Sequence, residues 1–388
     1  MILINKSTLL FKLIQFFVWV LLFEVMVGGA GRLFEFNGFT LRMVFFIIAF
    51  LIQILLYFKA SVKTKKIFLF FEIAFFLLTC LGLIIGFIEN NNRDNIIENI
   101  KYSLFFIILP FLSYFIKSTN DVKHICNMFK LASIVIALIY LSFLVFVFTG
   151  YIKFSDLEIL SNNTEFALRG NTAFFYKGFI FMCVGFFFLV NSSNKISAFI
   201  VILPAIILTF TRGFLISLIL TYILYYLFKK KTYSILIITL SILLFSYAKG
   251  FYEDNLGDKS ESDQIRIEQF NEVYSKTNFV NIIFGHGLGS GTTIRDNHFE
   301  ITYLEIFYKQ GLLGLLFWLS ILAFILYYYY KSYLIGNEKY ALPFLLSTLF
   351  LYIQSFTNPF LINSLGITIL MLSMISLNVL SNKLVVND

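Results

Sequence analysis

The chain has 388 residues, of which 59% are hydrophobic and only 13% are charged, and its mean hydropathy is +0.85. This composition excludes a set of soluble domains and predicts an all-α polytopic membrane protein, because apolar runs able to cross roughly 30 Å of hydrocarbon recur along the chain. The formal net charge of +8 does not indicate nucleic-acid binding, since the lysines cluster in short loops between apolar runs. The three cysteines lie in or beside those runs and predict neither a disulfide framework nor a zinc site.

The apolar runs predict a single transmembrane domain over residues 1–388 with about twelve spans. The first run has no small-residue cleavage site, so we interpret it as a span and not as a signal peptide. An even number of spans puts both termini on the same side. The predicted spans cover roughly residues 8–28, 40–58, 67–88, 100–116, 131–149, 173–190, 196–210, 213–228, 232–247, 301–329, 341–357 and 361–381.

The distribution of basic residues predicts the orientation. Alternate connections carry lysine, so the positive-inside rule places this face and both termini in the cytoplasm. The lysines in question are Lys6, Lys12, Lys59, Lys63, Lys65, Lys66, Lys117, Lys123, Lys130, Lys195, Lys229, Lys230, Lys231, Lys331, Lys339 and Lys383. The opposite face carries most carboxylates and all seven arginines, namely Arg32, Arg42, Arg93, Arg169, Arg212, Arg266 and Arg295. Guanidinium groups bind phosphate or carboxylate in a bidentate way, so the enrichment of arginine predicts an anionic ligand at the outward face. The alternative explanation for the enrichment is codon bias combined with chance.

Three outward segments are long enough to matter, of which the shortest is the polar segment 90–99. The largest covers about residues 248–299 between the ninth and tenth spans, and the second covers about residues 151–171, which include Arg169. Within the larger loop, residues 263–276 predict an amphipathic helix with Ile265, Phe270 and Val273 roughly on one side. Arg266 lies on this helix, and from its position alone it is a solvated surface charge.

Arg212 lies between two short apolar segments that are separated by only three residues. A tight hairpin there would hold Arg212 at or just inside the outer membrane boundary, where an arginine usually faces a cavity and a partner. The alternative is an arginine that extends to lipid phosphate. Pro204, in the first segment, is expected to kink that helix and free carbonyl groups.

The stretch from Gly285 to Gly314 joins the large loop to the tenth span and concentrates polar side chains. It contains His286, Arg295 and His298. Its first four glycines predict a turn that returns to the membrane, and not a phosphate-binding P-loop, because no Gly-Lys-Ser/Thr follows.

The same stretch contains candidates for a general base. His298 or Glu300 would serve if it faced a cavity at the start of the following helix, and a polar cap is the alternative for His298. Spacing predicts that Glu300 and Tyr303 share a helical face and that Glu305 pairs with Lys309, four residues later.

These motifs together resemble the O-antigen polymerase and ligase superfamily of bacterial envelope glycosyltransferases. The residues that carry the resemblance are Thr209 to Gly213 (TFTRG), Arg266, Phe284 to Gly289 (FGHGLG) and His298 to Gly314. These residues lie in the C-terminal half of the chain, whereas the N-terminal half resembles the superfamily in hydropathy alone.

The resemblance implies a reaction on undecaprenyl-diphosphate-linked oligosaccharide at the periplasmic face of the inner membrane, with no cofactor, metal or nucleotide sugar. Arg212 and Arg266 would contact the diphosphate. A polar residue at the helix start would serve the acceptor hydroxyl. Where the family has histidine this chain has Glu300, and His298 lies two residues earlier, so the identity of the base stays open. Further candidate substrate contacts are Arg295, Arg169, His286 and Tyr303, and a chain-length regulator is an expected partner.

The resemblance favours a polymerase that moves the growing glycan chain onto a new lipid-linked repeat unit. A ligase that transfers glycan to lipid A–core is the alternative within the superfamily. A flippase or other transporter is the alternative from another class, and a non-catalytic sensor is a further one. A transporter should have charged residues along several spans, whereas here they concentrate at one face, which favours chemistry at the membrane boundary.

Overall fold

The computed structural model describes residues 9–29, 35–36, 39–58, 65–152, 166–169, 173–229, 232, 237 and 260–382. This part of the chain is mostly helical, as predicted. Its helices are α1 (Leu9–Val27), α2 (Leu41–Phe58), α3 (Lys66–Ile88), α4 (Arg93–Ser103), α5 (Leu109–Phe115), α6 (Thr119–Phe148), α7 (Ile180–Val190), α8 (Leu203–Leu208), α9 (Arg212–Lys229), α10 (Ser260–Lys276), α11 (Phe279–Phe284), α12 (Thr302–Leu334), α13 (Glu338–Gln354) and α14 (Ser364–Leu380).

Short non-α elements connect some of these helices. Leu104–Ile108 is a 3₁₀ turn between α4 and α5, and Lys177–Phe179 is a 3₁₀ turn before α7. A short helical stretch, Lys195–Ser197, and a π-helical turn, Ala198–Ile202, precede α8. The antiparallel hairpins are β1 (Glu35–Phe36) with β2 (Phe39–Thr40), and β3 (Phe166–Arg169) with β4 (Ala173–Tyr176).

Within the described residues, five helical segments are long and apolar enough to cross a membrane. They are α1, α3, the segment Arg93–Phe115, α6 and α12. Shorter apolar helices coincide with most of the other predicted spans. The predicted span 341–357 matches α13, the predicted span 173–190 begins with strand β4, and the predicted span 232–247 lies almost wholly outside the described residues. The sequence therefore predicted where helices form.

The centre of the bundle is α14. All of its side chains are buried, and it packs against α12 and α13. A helix that is apolar all round is stable only when other elements surround it. Its few hydroxyl groups are accommodated locally, as when Thr368 Oγ1 donates to the Ser364 carbonyl over 2.7 Å.

The helix ends define two ends of the bundle. At the loop end, α12 begins and α13 ends, since Thr302 N donates to Ser355 O over 3.0 Å. The start of α9 meets the same turn, because Ser217 Oγ donates to Gln354 Oε1 over 2.7 Å. At the other end α6 begins, α7 ends and α13 begins; we call it the lysine end because Lys123, Lys130 and Lys339 line a cavity there.

Candidate functional site

A break in α12 anchors the glycine-rich loop. Gly311 has φ 62° and ψ −159°, a conformation that is essentially restricted to glycine. The break removes helical donors from the preceding carbonyl groups, and loop amides replace them: His286 N donates to Tyr308 O (2.7 Å) and Gly287 N donates to Lys309 O (3.1 Å). The predicted turn is therefore held on the backbone of α12.

The other side of the loop is bound to α3 and the turn after it. Leu288 N donates to Gly82 O over 2.8 Å, and Asn91 Nδ2 donates to the carbonyls of His286 (2.9 Å) and Leu288 (3.0 Å). Gly287 permits this approach, because a Cβ there would lie 2.2 Å from the backbone nitrogen of Gly86. The loop thus joins α3 to α12 at the loop end of the bundle.

The predicted loop helix exists as α10 and covers this segment. Val273 is buried with Phe299 and Tyr308 in a small apolar cluster. The predicted apolar side is wrong for Phe270, which is 56% exposed. Gln269 is fully buried instead, where its Oε1 accepts a long hydrogen bond from Glu300 N (3.4 Å).

Two arginines converge on one carboxylate, an arrangement that we call the arginine pair. Arg266 Nη2 of α10 lies 2.9 Å from Glu300 Oε2, and Arg295 Nη2 of the loop lies 2.7 Å from Glu300 Oε1. Arg266 is therefore an ion-pair partner and not merely a solvated surface charge. Each carboxylate oxygen of Glu300 is already bound by a guanidinium group.

The expected common helical face of Glu300 and Tyr303 is not present, because α12 begins only at Thr302. Tyr303 instead donates its hydroxyl to Tyr352 O over 2.6 Å, and its ring lies 4.5 Å from that of Phe356. Tyr303 thus holds the start of α12 against the end of α13.

A buried polar network lies below the arginine pair. Glu305 and Lys309 form the predicted i,i+4 ion pair at 2.7 Å, with side chains only 1% and 4% exposed. Glu305 Oε1 also lies 3.3 Å from His298 Nδ1, and Oε2 accepts from Phe299 N over 3.1 Å. Because a carboxylate only accepts hydrogen bonds, this contact assigns the proton of neutral His298 to Nδ1 and the lone pair to Nε2.

A cavity of about 230 Å³ opens beside this network. Polar side chains on its wall come from distant parts of the chain and include Asn99, Lys177, His298, Glu305, Lys309, Gln310 and Asn363. Among the described residues, Gln310 Oε1 and Trp318 Nε1 are buried without a hydrogen-bond partner. Unpaired buried polar atoms at a cavity favour a polar ligand or ordered water there, because leaving them unpaired costs free energy.

Arg212 begins α9 at the loop end, after the predicted tight turn Thr209–Thr211. A Cβ on the adjacent Gly213 would lie 2.9 Å from Gln354 Nε2, which places this turn against the end of α13. That same end holds Thr302. The structure thus brings the start of α9 to the end of the bundle that carries His298 and the arginine pair.

His286 lies on the far side of the loop, in an open polar cavity of about 450 Å³. Its ring is 4.5 Å from that of Tyr308, and burial lowers the pKa of His286, which favours the neutral ring. Glu89, Asn95 and Asp296 are also on the wall of this cavity. Arg169 ends β3 opposite Ala173, and its side chain lies outside the described part of the structure.

Comparison with known proteins identifies the family. The chain is 30% identical over 366 residues to an O-antigen polymerase of Shigella flexneri, and the match covers 92% of each protein. The chain belongs to the O-antigen polymerase family. No family model matches it, so the assignment depends on this similarity over nearly the whole length. The family predicted from the motifs is confirmed.

Sequence reasoning missed several cavity residues of this O-antigen polymerase family member. Lys177 stands in an otherwise apolar run and Gln310 directly follows Lys309, and ionisable residues within apolar runs mark functional positions in membrane proteins. That signal was present in the sequence. Asn99 gave no such signal, because it belongs to the polar helix α4 and reaches the cavity only through tertiary packing.

Proposed function

We propose that this chain polymerises a lipid-linked glycan. It transfers the growing chain from undecaprenyl diphosphate to a new lipid-linked repeat unit, at the periplasmic face of the bacterial inner membrane. Family membership supports this proposal, because the relative is named as a polymerase and matches over nearly the whole length. Ligation to lipid A–core and lipid flipping have no comparable support.

The proposal includes the predicted topology. About twelve spans form one domain over residues 1–388, with both termini in the cytoplasm and the loops at about 151–171 and 248–299 in the periplasm. A chain-length regulator is the proposed protein partner. Arg169, in the smaller loop, is a proposed further contact for the anionic substrate.

The observation that carries the mechanism is the arginine pair. Each oxygen of Glu300 receives one guanidinium group. In the proposed site, the two Glu300 oxygens of the substrate-free protein occupy the positions that two phosphate oxygens take when substrate binds. A diphosphate carries more negative charge than a carboxylate and would therefore displace it from the two arginines. We therefore assign Glu300 the role of holding Arg266 and Arg295 ready, and we propose Arg212 as an additional contact from the same end of the bundle.

These assignments leave His298 as the proposed base. The acceptor hydroxyl oxygen attacks the anomeric carbon of the donor chain, the carbon–oxygen bond to diphosphate breaks, and its electron pair leaves with undecaprenyl diphosphate. His298 Nε2 takes the hydroxyl proton, with Glu305 orienting the ring through Nδ1. The arginines stabilise the charge that develops on the leaving diphosphate, so the proposed mechanism uses no metal ion.

The glycan itself would occupy the open polar cavity. Its amide and carboxylate side chains match the donors and acceptors of sugar hydroxyl groups. Tyr303 supports the site by fixing the helix start, since its hydroxyl is bonded to a backbone carbonyl.

Complementation of a deletion strain tests this proposal by the ladder of polysaccharide lengths on a gel. The deletion should leave core plus one repeat unit, whereas core alone with accumulating lipid-linked polymer would indicate a ligase. R266A, R212A and H298A should abolish long chains at wild-type protein levels, and E300Q should retain them at reduced length or yield. R93A is the matched control, because Arg93 is exposed and lies outside the cavities. Normal ladders from H298A together with none from E300Q would make Glu300 the base.

A further inference from the structure

A second polar cavity, of about 270 Å³, lies at the lysine end of the bundle. It is formed where α6 begins, α7 ends and α13 begins. The 17 residues of α13 separate it from the proposed active site by about 25 Å at 1.5 Å per residue. It is therefore a distinct site, and its role does not depend on the proposed reaction.

Three lysines line this cavity, which we call the lysine pocket. Lys123 and Lys130 come from α6, where Asn127 lies between them on the same face at helical spacing, and Lys339 comes from the first turn of α13. Asn191, Ser192 and Ser193, just after α7, add amide and hydroxyl groups. The wall thus offers many hydrogen-bond donors.

Two of the three lysines, Lys130 and Lys339, have no carboxylate partner among the described residues. No carboxylate is among the described residues that line the pocket. Asp121 is used in the capping box at Ser118, and Glu338 pairs with Lys229.

Helix direction adds to the positive charge of the lysines, because two N-termini, those of α6 and α13, lie at this end with partial positive charge, against one C-terminus, that of α7, with partial negative charge. Lysines that share a cavity repel one another, and a bound anion relieves that repulsion. The pocket is thus organised for an anion.

We propose that the lysine pocket binds a phosphate group carried by the headgroup of an anionic phospholipid. The wall combines lysine ammonium groups with apolar side chains of Phe188 and Pro343, which suits a phosphate joined to glycerol and acyl chains. Its position among helix ends that carry lysine fits the anionic headgroup region, and basic pockets between helices bind such headgroups. Free inorganic phosphate shares the same chemistry and is the other possible source.

Binding to the purified full chain in neutral detergent tests this assignment. Short-chain phosphatidylglycerol should raise the unfolding temperature, and phosphatidylcholine, whose headgroup is net neutral, should raise it less. Each lysine near a phosphate is worth about fivefold in affinity. K130Q/K339Q should therefore weaken phosphatidylglycerol binding about 25-fold, whereas K130R/K339R should retain it. K195Q is the control, because Lys195 is an exposed lysine outside the pocket.

The exposed Lys339 allows a milder variant, K339Q, which should weaken binding about fivefold without disturbing the fold. Equal phosphatidylglycerol affinity for wild type and for both glutamine variants would overturn the proposal, as would the absence of any response in the wild type. A lysine-dependent response to inorganic phosphate with none to phosphatidylglycerol would overturn the lipid assignment.

Discussion

The buried pair of Glu305 and Lys309 allows a quantitative test of the site's construction. K309M would leave the Glu305 carboxylate charged and only 1% exposed, and would remove a donor from Asn297 O, which Lys309 Nζ contacts at 2.6 Å. Breaking a buried ion pair by removing one partner costs about 3–5 kcal/mol. Glu305 keeps its contacts to His298 Nδ1 and Phe299 N, so we expect the lower value, about 3 kcal/mol of unfolding free energy.

The assay is reversible unfolding in mixed micelles at pH 7.5, followed by tryptophan fluorescence, to which Trp318 beside the cavity contributes. The double variant E305Q/K309M removes both charges and should lose no more stability than K309M alone, which gives a favourable coupling energy in the double-mutant cycle.

The matched control is K276M, because Lys276 and Glu272 form an i,i+4 pair of similar length (2.6 Å) with Lys276 45% exposed. Its expected cost is below about 1 kcal/mol. Equal losses of unfolding free energy in K309M and K276M would refute the reasoning that burial determines the energy of the Glu305–Lys309 pair.

Two further predictions concern the loop. G311A should lower the unfolding free energy by more than about 3 kcal/mol, since its φ/ψ region excludes other residues and its Cβ would lie 2.3 Å from Ile283 O. The control G150A has a similarly positive φ of 78° but nothing within 4 Å of the new Cβ, so it should cost about 1–2 kcal/mol, and equal losses would contradict the importance of the contact. Burial lowers the pKa of His286 in the folded state, so the unfolded chain binds more protons. The contribution of His286 to the unfolding free energy should be fully present above about pH 6.5, the pKa of histidine in the unfolded chain, and should decrease as the pH drops below that value. Thermal unfolding between pH 5 and 7.5 should show this fall in the wild type and a flatter profile in H286Q, and identical profiles would contradict the assignment.

The apolar pattern predicted where the helices form because long apolar runs leave few alternatives to helix in a membrane. The Glu305–Lys309 pair was also predictable, since its spacing is local and helical. The contact between Arg266 and Glu300 was not predictable, because it joins α10 to a loop far along the chain and depends on how α10 packs against that loop.

The buried face of α10 shows the same limit. Sequence pattern put Phe270 on the apolar side, whereas docking buries Gln269 and Val273. A short helix that covers a polar loop selects its contacts by the shape and hydrogen bonds of that loop, and hydropathy alone does not encode them. The break at Gly311 was likewise not predictable, because a glycine in an apolar run does not reveal its φ.

The replacement of helical donors at that break couples the loop to α12. The carbonyls of Tyr308 and Lys309 belong to a long helix, yet their donors are amides of the loop. Exposing the loop to solvent therefore removes hydrogen bonds from the helix, and disturbing this part of α12 releases the loop. The loop and the first turns of α12 should form one cooperative unit, so that their amide protons exchange with solvent at a common rate.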